Sequence, residues 1–198
     1  MASLLDVIGA AIVGSLVILM MFTALFNIQA INNNTQLQIN LSEMSEDLIT
    51  GRTVGSTNYL GLETYLSKIG AGVSTSTDPI IEATSTSFKF LGQLNSTSSI
   101  STFYFVQESA TANGIPLYFY QDDMSNPMYG PFWLADSLDI KYYDVNNNLV
   151  TSPNSNHASI RSAELRFTFF YNTYIPDADK RLIRHSIVIW KYFKNLYL

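Results

Sequence analysis

The stretch LLDVIGAAIVGSLVILMMFTALFNI, Leu4 to Ile28, decides the architecture. Nearly every residue in it is apolar or small, and about 25 helical residues at about 1.5 Å each reach about 37 Å, enough to cross a bilayer core with some tilt. Asp6 is the only ionisable side chain before Glu43, and it lies near the start of the run. A carboxylate placed there costs several kcal/mol unless it finds a partner, so Asp6 is read as a functional residue.

Outward from this run, no proline interrupts the chain before Pro79. The apolar segment passes through Asn27, Gln29 and Asn32 to Asn34 into Leu37, Leu41, Met44 and Leu48, which recur at helical spacing, with Gln38, Glu43, Glu46 and Asp47 around the rest of the cylinder. One helix from Leu4 to Ile49, about 70 Å long at 1.5 Å per residue, is predicted. Gly51 and Gly55 break it, after which Tyr59, Leu62, Leu66 and Ile69 predict a second, short helix ending before Gly70 and Gly72. Ser74 to Ser87, rich in Ser and Thr and carrying Asp78-Pro79, is expected to be a loop.

Beyond it the period falls to two. Phe88 and Phe90, Phe103 and Phe105, Leu117 and Phe119, then Leu138, Ile140 and Tyr142, then Leu165, Phe167, Phe169 and Tyr171, and finally Ile183, Ile187 and Ile189 read as strands of an antiparallel meander with one buried face. The apolar stripe on the second half of the long helix is its expected cover. The fold class is therefore α+β, a long N-terminal α-helix packed against an antiparallel β-sheet head. Residues 1–30 form an apolar helix, 31–72 its amphipathic continuation plus the short second helix, and 73–198 the head.

Composition narrows the function. Sixteen acidic against eleven basic residues give a net charge of −5, which argues against a nucleic-acid or anionic-lipid surface. The local cluster Lys180, Arg181, Arg184, Lys191 and Lys194 is read as a solvated strand face. The absence of cysteine removes disulfides, thiolate catalysis and Cys-based zinc sites together. Twelve Tyr and twelve Phe beside Asn, Ser and Thr in the connecting segments fit aromatic strands joined by polar turns.

Asp144, Asn146 and Asn148 match the D-x-N-x-N opening of a calcium loop, but Leu149 stands where glycine is needed and Ser155 where a bidentate Glu is needed, so a hairpin turn is expected. Asp122-Asp123 and Asp177 with Asp179 are read as acidic turns. His157 and His185 lack any local spacing of a triad or metal pair, and no phosphate loop, HExxH or GxSxG is found. No catalytic activity, cofactor or metal site is expected. Trp133 and Trp190 are read as core or subunit-contact aromatics.

A cleaved secretory signal needs a basic start and a shorter apolar core, and no Lys or Arg precedes Arg52. A plain single-pass anchor fits the length but gives Asp6 no role. Ala2-Ser3-Leu4-Leu5-Asp6-Val7-Ile8, followed by small and apolar residues through Gly14 and Leu16, resembles the mature N-terminus of type IV pilins and pseudopilins. With Met1 removed, which a small Ala2 favours, Asp6 takes the fifth position, where that family carries an acidic residue, normally the longer Glu. The segments Ile140 to Leu149, Ala163 to Phe169 and Ile183 to Leu196 are similar to the closing hairpin and strands of minor pseudopilins.

The resemblance implies a structural subunit of a type IV pilus-like or type II secretion pseudopilus filament, of the minor, tip or initiating kind. It would be held in the inner membrane by a single pass, with its head extracytoplasmic, before assembly into a periplasmic or extracellular filament. It further implies a basic leader ending in Gly, other pilin-like subunits as partners through the N-terminal helix, an inner-membrane assembly platform, and lipid contact before assembly. The Asp6 carboxylate would pair with a neighbouring subunit's α-amino group. Ala10 and Gly14 follow Asp6 at intervals of four on one helical face, where small side chains let a neighbouring helix approach. From a different class, a membrane-tethered extracytoplasmic binding or adhesion domain that does not polymerise remains the alternative; a membrane-bound hydrolase would need nucleophile and base to converge from distant loops.

Overall fold

The computed structural model describes residues 3–172 and 182–196. Helix α1 runs unbroken from Leu4 to Thr50, 47 residues. Within the apolar stretch, Ser15 Oγ donates to Ile12 O at 2.8 Å and Thr23 Oγ1 to Leu19 O at 2.9 Å, so both hydroxyls are satisfied inside their own helix. The chain forms two compact units, Met1–Asn40 and Leu41–Leu198. In the first, the large apolar side chains from Leu4 to Ile31 are exposed. The helix is long and apolar enough to cross a membrane.

The second unit begins with the last turns of α1, which bury Leu41, Ser45 and Leu48. Gly51, at φ +83°, ends the helix in the left-handed region and opens a hairpin of β1 (Gly51–Val54) and β2 (Thr57–Leu60). A Cβ on Gly51 would strike Tyr59 O and one on Gly61 would strike Ile49 O, so this crossing excludes side chains at both positions. Tyr59 therefore lies on a strand and stacks on Tyr129 with ring centroids 5.3 Å apart, where its spacing with Leu62 and Leu66 suggested a helix. Helix α2 is confined to Leu62–Ser67 and buries Leu62, Tyr65 and Leu66.

Eight strands form one antiparallel sheet: β3 (Ile80–Ala83), β4 (Ser87–Gly92), β5 (Ser101–Gln107), β6 (Ile115–Gln121), β7 (Tyr129–Leu134), β8 (Asp139–Tyr143), β9 (Ser162–Asn172) and β10 (Leu182–Tyr192). The order is β10-β9-β7-β6-β5-β4-β3, with β8 also paired to β9. The strands that alternate in sequence alternate in burial: Phe88 and Phe90 on β4, Phe103 and Phe105 on β5, Leu165, Phe167 and Phe169 on β9 all point inward.

Two strands of this sheet depart from expectation. β3 lies inside Ser74 to Ser87, read as a loop; Ile80 and Ala83 are buried, and a register shift between Ile80 and Glu82 replaces strict alternation. β7 carries Pro131, which lacks an N–H for the ladder, and the β6–β7 register shifts between Leu117 and Phe119.

The core joins the inner face of the sheet to Leu41 and Leu48 of α1 and to Leu62, Tyr65, Leu66 and Ile69. At its centre Phe88 is fully buried, with ring centroids 5.2 Å from Phe90, 5.3 Å from Tyr142, 5.5 Å from Phe105 and 5.8 Å from Phe193. The buried Tyr142 hydroxyl donates to Thr84 O at 2.9 Å, so its burial leaves no orphaned donor. Burial pushes its pKa far above the ordinary tyrosine range.

Candidate functional site

Asp6 sits in the first turn of α1, and the structure gives it a partner in its own chain. Its Oδ2 accepts the Ser3 N–H at 3.0 Å and the Ser3 hydroxyl at 3.0 Å, while Ser3 Oγ accepts the Asp6 N–H at 3.3 Å. Ser3 O meanwhile receives the first helical bonds, from Asp6 N at 3.0 Å and Val7 N at 3.3 Å. This is a capping box, a Ser at the N-cap and a carboxylate three residues on, each satisfying the other's amide. The carboxylate also sits at the positive end of the helix dipole. Among the described residues Asp6 Oδ1 has no hydrogen-bond partner.

Ala10 and Gly14 follow one and two turns below. Ala10 is exposed and Gly14 half-exposed, and a Cβ built on Gly14 meets nothing within 4 Å. The three residues share a strip of helix surface with no large side chain at those positions. Ser3 was not singled out from sequence, although its spacing of three from Asp6, just ahead of an apolar run, is the capping-box signature.

The other candidates resolve into turns and ion pairs. Asp144 Oδ1 accepts Asn146 N and Asn148 N, both at 2.8 Å, and Oδ2 accepts Asn148 Nδ2 at 3.1 Å. These bonds from Asn148 and Asn146 hold the carboxyl below the usual carboxylate range. The oxygens that a calcium ion would use are thus engaged by N–H groups of a hairpin turn. Asp122 Oδ1 accepts Thr102 N at 2.8 Å, and Asp123 Oδ1 accepts the N–H and hydroxyl of Ser125 at 2.9 and 2.8 Å, which lower the Asp123 pKa. Asp177 and Asp179, with Lys180 and Arg181, lie outside the described residues.

Arg184 pairs with Asp136 at 3.1 Å and Lys191 with Glu63 at 2.8 Å, so these two cations of the C-terminal cluster are matched by acids of the same unit. Trp133 is half-buried on β7; Trp190 is 41% exposed on β10 and stacks on Tyr143 at 4.4 Å.

One relationship was invisible to local spacing. His157 Nδ1 lies 2.8 Å from Asp78 Oδ2, at the rim of a cavity of about 570 Å³ lined by the loop Gly70 to Pro79, Arg161 and Asn195. Among the described residues no serine hydroxyl bonds to this imidazole, and Asn195 Nδ2 is spent on Ser67 O and Ile69 O at 3.1 and 3.0 Å. The pair ties the loop ahead of β3 to the short helical turn His157–Ser159. His185 lies on β10 opposite Phe169.

No known family, curated protein or solved structure matches the chain.

Proposed function

We propose that this chain is a structural subunit of a type IV pilin-like filament, held in a membrane by the first part of α1 before assembly. The supporting observation is Asp6: a carboxylate fixed at the head of an exposed apolar helix, with Oδ2 held by Ser3 and Oδ1 unbonded among the described residues. In a bundle of such helices the surroundings are nearly as apolar as lipid, and a carboxylate is tolerable there only when paired. The α-amino group of a neighbouring copy or a related subunit supplies that pair. Ala10 and Gly14 give the neighbouring helix its path of approach. The pair sets register more than it adds net stability, because desolvation of both ions offsets much of their attraction. No catalytic role is assigned to the head.

The capping box itself favours a second reading. Because Ser3 already satisfies half of the carboxylate, a solitary anchor carrying an extracytoplasmic binding head also accounts for Asp6, through helix capping at the membrane surface. Shearing cells stripped of any outer envelope, so that a periplasmic filament is released as an extracellular one is, and pelleting the filaments separates the two. A filament subunit is recovered in the sheared pellet together with other pilin-like chains; a solitary anchor stays wholly with the membranes.

A further inference from the structure

The chain carries three Asn-x-Ser/Thr triplets, at Asn33-Asn34-Thr35, Asn40-Leu41-Ser42 and Asn95-Ser96-Thr97. Such a triplet accepts an N-linked glycan when a transferase can grip the Asn amide and the hydroxyl two residues on together. The first two lie in α1. At about 100° per residue, a helix sets positions i and i+2 about 200° apart, so amide and hydroxyl face opposite sides of the cylinder. The X residue of the second triplet, Leu41, is moreover buried in the core.

The third is different. Asn95 lies in the connection between β4 and β5, and Asn95, Ser96 and Thr97 are all exposed. Its Oδ1 accepts Thr97 Oγ1 at 2.9 Å, Thr97 N at 3.2 Å and Ser98 N at 2.8 Å, so amide and hydroxyl lie side by side on one face of a tight turn. All three bonds fall on the oxygen, and Asn95 Nδ2 makes none among the described residues. Ser98 closes the turn, its hydroxyl donating to Asn95 O at 2.9 Å, and Gln93 Nε2 bonds Ser98 O. No charged side chain occurs between Lys89 and Glu108.

We propose that Asn95 is an N-glycosylation site, and the only one of the three triplets that the folded chain presents in a usable form. The co-reactant is an oligosaccharide linked to a lipid diphosphate, delivered by a membrane transferase. Asn95 Nδ2 bonds to the anomeric carbon as the bond from that carbon to the phosphate oxygen breaks. The lipid diphosphate leaves with the electron pair, and Nδ2 gives up one proton to a base of the transferase. The inference rests on the reading that the head lies outside the cytoplasm.

The test is peptide mass spectrometry of the full chain purified from its own envelope, after labelling intact cells with a membrane-impermeant amine reagent. Trypsin cuts after arginine and unlabelled lysine only, so Asn95 falls in a peptide that begins no earlier than Thr53 and ends at Lys141, or at Arg161 once Lys141 is labelled, and in every such peptide Asn95-Ser96-Thr97 is the single triplet. The expected result is a sugar mass on Asn95, lost in Asn95→Gln and Thr97→Ala and kept in Thr97→Ser, whose hydroxyl remains. Lys141, its side chain 42% exposed, reports topology. Labelled Lys141 with bare Asn95 overturns the glycosylation site alone, as does sugar on Asn33 or Asn40 with Asn95 bare. Unlabelled Lys141 with bare Asn95 overturns the extracytoplasmic reading and the glycosylation site with it.

Discussion

Ser3 and Asp6 close a reciprocal ring of hydrogen bonds at the head of α1, the carboxylate taking both protons that Ser3 offers and the hydroxyl taking the Asp6 amide. The ring holds one carboxylate oxygen, and among the described residues the other, Oδ1, has no partner. Capping and the proposed assembly role of Asp6 are therefore separable by substitution. Ser3→Ala removes the cap at a local cost of about 1 kcal/mol and frays the first turn, yet leaves the charge in place. We expect sheared-filament yield to persist in Ser3→Ala and to fall to background in Asp6→Ala, with the head's unfolding transition unchanged in both.

The aromatic centre of the head predicts a steep stability gradient. Phe88 is fully buried and touches four other rings, so Phe88→Ala should cost about 3–5 kcal/mol in urea unfolding of the detergent-solubilised chain. Val145, 62% exposed, should lose under about 0.5 kcal/mol on the same substitution.

The two glycines of the β1–β2 hairpin should differ as sharply. Both have positive φ, +83° at Gly51 and +62° at Gly55, but a Cβ at Gly55 meets nothing within 4 Å whereas one at Gly51 collides with the Tyr59 carbonyl. Gly55→Ala should cost about 1–2 kcal/mol, the ordinary left-handed penalty. Gly51→Ala adds a backbone collision that only displacement of β2 relieves, so its unfolding midpoint should fall well below that of Gly55→Ala.

Alkali should unfold the head through its buried tyrosines. Burial raises the Tyr65 pKa from 10.0 to about 12. Between those values the unfolded chain has lost the Tyr65 proton and the folded chain retains it, so stability is whole below pH 10 and falls as pH rises toward about 12. Among the described residues the hydroxyl's one hydrogen bond is to Met128 Sδ at 3.6 Å, so Tyr65→Phe should fold normally and show a shallower loss over this window. Urea midpoints at stepped pH, with tyrosinate absorbance followed alongside, measure both.

Much of the head is legible in the sequence because β4, β5, β8 and β9 alternate apolar and polar residues over a single buried face. β7 is hidden by Pro131, which counts against a strand by propensity and is tolerated where the ladder is already irregular. β3 is four residues within a Ser/Thr-rich segment, too short for a period to emerge. The β1–β2 hairpin is masked because Tyr59 completes a helical stripe, and only the mutual approach of Gly51 and Gly61 forces the turn. At the candidate site, the Ser3–Asp6 spacing lay within local reach. Asp78 and His157 meet only through the tertiary fold, and no local pattern announces them.

In the proposed filament Asp6 sits against the amino end of another copy or a related chain. Since the sequence has no cysteine, Leu5→Cys with Val7→Cys can be introduced and oxidised in native envelopes, and products resolved by size, with Asp6 intact and with Asp6→Ala. Pairing of Asp6 with a neighbouring amino end gives a ladder of cross-linked species that disappears with Asp6→Ala. A single uncross-linked band with Asp6 intact, or a ladder that survives Asp6→Ala, contradicts it.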